Sequence, residues 1–273
     1  MPILDPYGRP IPSTAQRKVL SLRRTRRAEI EAAYDAAQTT KENAKHWRWA
    51  DSLSAAQANS PEVRRSLRER SRYEVANNSF AAGIVDTLAN DVIGTGPRLQ
   101  MQTGNEQVDR AIEERWRAWT KQRNLASKLR TARKARATDG EAFLMRTDNR
   151  RRSPQITLDV RLVECDQFEN PNETNTNPRH VSGIHFDESG NPTQYDLLEH
   201  HPGDPHGSYA AAAPLQADDV IHWFRCDRPG QIRGIPEITP ALPLFAMLGV
   251  MALPDVLLAA AAQRALDALA RML

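Results

Sequence analysis

Apolar residues recur at helical spacing in the first half of the chain and at alternate positions further on, so the pattern predicts helices followed by strands. Ser60-Pro61-Glu62 is a helix start: the serine oxygen can cap free N–H groups, and proline suits the first helical position. This helix is expected to run to about Val75 and to break at Asn77-Asn78. Phe80, Ile84, Val85, Leu88 and Val92 then predict a second helix with an apolar face. Gly94 and Gly96 end it, because glycine takes a positive φ cheaply, and Pro97 prevents its resumption. Val108, Ile112, Trp116 and Trp119 recur every three or four residues and predict a third helix over residues 106–122, the tryptophans facing a core. The Arg- and Lys-rich stretch from Lys121 to Arg136 is expected to extend this helical region.

The period then changes. Ala142 to Thr147 is short and apolar, and Ile156, Leu158, Val160 and Leu162 alternate as in a half-buried strand. Further strands are expected at Val181 to Phe186, Gln194 to Glu199 and Asp219 to Phe224, separated by an Asn/Pro/Thr-rich loop at 170–179 and a turn at 188–192. Helical character returns after Pro243 and persists to Leu273, which predicts further chain beyond it. Pro2, Pro6, Pro10 and Pro12 predict an extended arm, and residues 14–38 a basic helix. The fold class is therefore α+β. Four regions are expected: an arm and basic helix (1–59), a helical part (60–137), a β-rich part (138–228) and a second helical region (229–273).

Composition adds constraints. The apolar stretch from Ile238 to Ala262 is interrupted by Pro240, Pro243, Pro254 and Asp255, whereas a bilayer span needs about 20 predominantly apolar residues. The N-terminus lacks the basic-then-apolar order of a secretory signal, so synthesis in the cytosol is expected. Cys165 and Cys226 belong to no metal-type spacing and are expected as two buried thiols. The net charge of +3 hides a sharp division along the chain. Residues 1–75 carry 15 Lys and Arg against 9 Asp and Glu, residues 110–152 carry 14 against 5, and residues 153–222 carry 2 against 12. Such opposite surfaces could pair between neighbouring copies, or the basic stretches could face phosphates.

Candidate chemistry is sparse. His200, His201, Asp204 and His206 cluster in a Pro/Gly-rich loop, and Asp218, Asp219 and His222 lie close in sequence, but neither run has the held geometry of a metal site. There is no GxxxxGK[ST] loop for a triphosphate, and Gly94-Thr95-Gly96 lacks the strand and third glycine of a dinucleotide site. No GxSxG occurs, no Cys/His spacing marks a dyad, and the neighbouring carboxylates of Glu113-Glu114 and Asp218-Asp219 point apart. No catalytic residue, cofactor or metal is expected.

Three stretches together resemble the lambda-type family of phage portal proteins: NNSFAAGIVDTLANDVIGTGPRLQ (77–100), TDGEAFLMR (138–146) and, most specific, DDVIHWFRCDRPGQIRGIPEITPAL (218–242). The resemblance covers most of residues 60–248. It implies a structural subunit and no enzyme, assembling as a ring of commonly about twelve copies at one capsid vertex. Double-stranded DNA would pass through that ring without sequence specificity, and terminase, capsid protein and a head-tail connector protein would be its partners, with no membrane involved. This chain would be made in the host cytoplasm, reside in the virion, and supply the N-terminal half of such a subunit, its wing and the start of a stem. Within the third motif, Arg228, Gln231, Arg233 and Gly234 are candidates for subunit contact or for specifying the fold, and Gly94 and Gly96 form the helix-stop turn. The alternatives are a stand-alone basic DNA-binding protein, resting on the Arg-rich segments 14–27, 64–72 and 121–136, and a metal-dependent hydrolase using His200 or His206.

Overall fold

The computed structural model describes residues 40–151, 156–169, 177, 179–205 and 212–252. The Pro-rich arm, the basic helix 14–38, nearly all of the loop 170–179, His206 and the helical pattern beyond 252 lie outside the described residues. The chain divides into two compact units, one ending at Ser52 and one beginning at Leu53. Of the first, residues 40–52 are described and hold a 3-10 turn at His46–Trp49.

In the second unit a short helix α1 (Ala55–Ala58) precedes α2 (Pro61–Asn77), whose first turn is capped by the Ser60 hydroxyl accepting from the Val63 N–H. Asn78 closes α2 and opens α3 (Ser79–Ile93), its side-chain oxygen accepting from the Phe80 N–H. Gly94 ends α3 at φ 52° and Gly96 follows at φ 96°. A Cβ on Gly96 would lie 2.9 Å from the Ala126 Cβ, so this turn is also a close approach between elements.

The buried face of α3 is not the one its large apolar residues mark. Ala81, Val85 and Ala89 are enclosed, while Phe80 (70% exposed), Ile84 and Val92 face outward. Small side chains win because α3 packs with Ala137, Ile238, Leu242 and Phe245, where short residues let backbones approach.

The helix α4 (Glu106–Gln122) is capped by Asn105 and is followed, after a break, by α5 (Leu125–Asp139). The helical region thus extends through Arg136 as expected, in two helices rather than one, because Asn124 stands in the left-handed region at φ 51° and turns the chain. Trp119 is buried and donates its indole N–H to the Leu158 carbonyl at 2.9 Å. Trp116 is half-buried.

Two antiparallel sheets follow. In the first, β1 (Glu141–Asp148) lies between β2 (Leu158–Val163) and β7 (Val220–Phe224), with Phe143 opposite Val163 on one side and His222 on the other. The second has the order β3 (His180–Val181), β4 (Ile184–Phe186), β5 (Pro192–Leu197), β6 (Ala213–Gln216). The single strand expected at Val181 to Phe186 is instead a tight hairpin, because Ser182 and Gly183 both take positive φ (54° and 74°). The strand β6 was not expected from its Ala/Pro-rich sequence; it is recruited by pairing with β5. Phe143, Met145, Phe168, Ile184, Tyr195 and Val220 form the apolar core that the two sheets share. Phe143 stacks on Phe168 at 4.0 Å and on His222 at 4.2 Å. The last described helix, α6 (Leu242–Ala252), lies against α2, and its Leu242 and Phe245 join the cluster that holds Ala81 and Val85 of α3.

Candidate functional site

The motif residues Gly140-Glu141 and Arg233-Gly234 are more than 90 positions apart, yet they form one buried junction. Gly140 ends α5 at φ 92°, a conformation that glycine adopts without a Cβ penalty. Its backbone lies against Gly234 so closely that a Cβ on Gly234 would fall 2.1 Å from the Gly140 oxygen. This contact delivers the Glu141 carboxylate, at the start of β1, to Arg233.

Glu141 is fully enclosed and all its acceptor capacity is used. Oε1 accepts from Arg233 Nε at 2.9 Å, from Arg233 Nη2 at 2.7 Å and from Arg68. Oε2 accepts from the Gly234 N–H at 2.9 Å and from His222 Nε2 at 2.8 Å. Arg233 directs its remaining donors to the carbonyls of Phe168 (2.7 Å), Ser182 (2.6 Å) and Cys165 (3.2 Å), so one side chain ties β1, the turn after β2 and the β3–β4 hairpin together. Around this pair stand Arg64 and Arg68, both buried, with Arg72 at the rim. Arg64 lies 3.6 Å from Glu169, Arg68 3.2 Å from Asp166, and Arg72 2.6 Å from Asp139. Four guanidiniums thus face four carboxylates, the balance a buried ionic cluster requires.

Burial alone would raise the Glu141 carboxyl, but the guanidiniums of Arg233 and Arg68, with the His222 hydrogen bond, hold it well below its usual value of 4.5. Burial pushes His222 below 6.5 despite its hydrogen bond to Glu141, so it donates as a neutral imidazole. Burial, assisted by the like charge of Arg233, brings Arg64 down to about 10, which leaves it charged at neutral pH. Burial raises the Cys165 thiol well above 9.0 and makes it a poor nucleophile. Cys226 is exposed, which corrects the expectation of two buried thiols.

These shifts fix a pH response. On acidification below 6.5 the unfolded His222 takes up a proton that the folded one refuses, and below 4.5 the unfolded Glu141 does the same. In both windows the unfolded state binds more protons, so stability falls with pH. Asp139, raised by burial, acts in the opposite sense above 3.8 and softens only the lower step. Urea midpoints measured from pH 8 to pH 5 are expected to decline, and His222→Phe, which keeps the ring stack, should flatten that decline. A pH-independent midpoint in the parent chain would contradict this.

The rest of the third motif braces the junction. Gln231 is buried and folds the loop onto itself, accepting from the Asp227 N–H at 3.0 Å and donating to the carbonyls of Arg225 (3.1 Å) and Arg233 (2.9 Å). Asn59 donates to the Arg233 carbonyl at 3.0 Å. Glu237 meets Arg133 at 2.8 Å and Arg136 at 3.0 Å, locking the segment to α5. Arg228 alone of the four candidates lies on the surface, where it donates to the Leu53 carbonyl at 2.9 Å.

Part of the described basic stretches turns inward, while Arg65, Arg70, Arg110, Arg115, Arg117 and Lys121 stay exposed. Arg64 and Arg68 are buried in the cluster, Arg123 donates to the carbonyls of Asn149 and Ile156, and Lys128 reaches Asp159 at 2.6 Å. These charges are neutralised within the chain, and the exposed ones keep the division seen in the sequence. The His/Asp runs do not assemble as the sequence grouped them: His222 points to Glu141, Asp219 pairs with Arg146 at 2.6 Å, and His201 lies near Glu164 and Asp166. Sequence reasoning missed Glu141, Arg68 and Asp166 as one constellation; the local signal was a lone glutamate directly before the apolar run Ala142 to Met145.

Compared with known proteins, residues 40–266 match a family model described as phage portal protein, lambda family. No curated protein matches the chain.

Proposed function

Since this chain belongs to the lambda family of phage portal proteins, a structural and not an enzymatic family, we propose that it is a subunit of the ring at one capsid vertex, through which double-stranded DNA is packaged and ejected. The tail joins at that ring, and the partners are identical subunits, capsid protein, terminase and a head-tail connector protein. The family match across residues 40–266 carries this reading. The junction supports it, because a chain that fixes two sheets and a helical layer with buried ion pairs is a stiff building block. No helix among the described residues is long and apolar enough to cross a membrane. In this reading residues 60–228 form the wing and the segment from 229 begins the stem. Arg233, Gln231 and Gly234 specify the fold, and Arg228, the exposed one of the four candidates, is available to a neighbouring subunit. The stand-alone DNA-binding alternative loses the buried Arg64, Arg68 and Arg123 and keeps the exposed Arg65, Arg70 and Lys121.

Light scattering of the purified chain, with negative-stain imaging of any large species, tests the proposal. Rings of about a dozen copies are expected. A monomer at every concentration, binding DNA with an affinity that collapses as salt rises, would instead favour the basic DNA-binding reading.

A further inference from the structure

The β3–β4 hairpin places His180 directly opposite His185, and β5 brings Asp196 beside them. All three project from the face of the sheet opposite to Ile184 and Tyr195, since side chains alternate along each strand and those two lie in the aromatic core. The Asp196 carboxylate divides its oxygens between the rings: Oδ2 lies 2.6 Å from His180 Nε2 and Oδ1 lies 3.0 Å from His185 Nε2. The two imidazoles stack at 3.8 Å, 11° from parallel. The three potential ligand atoms lie within 4.8 Å of one another.

We propose that His180, His185 and Asp196 form a binding site for a divalent transition-metal cation of the zinc class. Two ring nitrogens and a carboxylate are the ligand set that such cations prefer. At metal–ligand distances of about 2.1 Å, tetrahedral ligands stand roughly 3.4 Å apart, and because an imidazole binds a cation in its own ring plane, the two rings turn out of their stack to meet one ion. The frame is held before any ion arrives. Arg233 and Arg64 donate to Ser182 in the turn, the Glu169 backbone abuts Gly183, and the Asp196 N–H donates to the Gly183 carbonyl at 2.8 Å. His185 is the most exposed of the three, which leaves a fourth position for water. Three strands would then be cross-linked on the face that carries no apolar core. The inference is independent of the portal reading.

Calorimetric titration of the full chain with Zn2+ in a non-chelating buffer tests it, with Co2+ absorption as a second readout that needs no variant. One equivalent per chain is expected, with an intense visible Co2+ spectrum of four-coordinate type. His185→Gln and Asp196→Asn should each weaken binding at least about tenfold, with circular dichroism confirming that the variants fold. His201→Gln, in the separate Glu164–Asp166–His201 group, should leave it unchanged. No stoichiometric binding, a weak six-coordinate Co2+ spectrum, affinity surviving His185→Gln and Asp196→Asn, or affinity lost with His201→Gln would each overturn the site.

Discussion

Replacing Glu141 with alanine is expected to lower the unfolding free energy by about 3 to 5 kcal/mol, the range for breaking a buried ion pair by removing one partner. The carboxylate is the shared counter-charge of Arg68 and Arg233, both enclosed, and also accepts from the Gly234 N–H and from His222. Without it two cations face each other in a water-poor interior and a backbone donor loses its acceptor. Arg233→Ala should cost less, because Arg68 and His222 still serve Glu141, but it frees the carbonyls of Phe168, Ser182 and Cys165. The comparison is read from urea midpoints, provided that the slope with denaturant is unchanged. A loss below about 1 kcal/mol for Glu141→Ala, the level of an exposed pair, would mean that water reaches the cluster.

The second large effect is steric. Gly234→Ala should cost at least about 3 kcal/mol, the upper end of overpacking penalties, because its Cβ would meet the Gly140 carbonyl oxygen at 2.1 Å and the Gly140 carbonyl carbon at 2.5 Å. These are backbone atoms that end α5 and begin β1, and they have no rotamer to change. Gly83→Ala is the internal control. Gly83 lies on the exposed side of α3 with nothing within 4 Å of an added Cβ and no positive φ, so the change should be neutral or stabilising by up to about 1 kcal/mol. Equal midpoints for the two variants would refute the close approach of the two motifs.

Where one residue can decide its own neighbourhood, the sequence was readable. Ser60-Pro61 starts α2, Asn78 separates α2 from α3, Gly94 stops α3, and Val160 and Leu162 alternate on β2. Each of these depends on a cap, a positive φ or a strict period within a few residues. The resemblance carried by residues 77–100, 138–146 and 218–242 also pointed to the portal family.

Readings that depended on partners far along the chain went astray. The helix break at Asn124 and the hairpin at Ser182-Gly183 rest on non-glycine residues in the left-handed region, which local propensity disfavours and packing enforces. The buried face of α3 follows alanines because Ala137, Ile238 and Leu242 come close.

What the sequence alone determined was the α+β order, most element starts and stops, and the family. Which charges are internal was decided only by the tertiary structure. An arginine in a basic run reads the same whether it faces water or carboxylates many tens of residues away. Only when Gly140 and Gly234 let two backbones touch does Glu141 meet Arg233 and Arg68, and desolvation then makes the pairing obligatory.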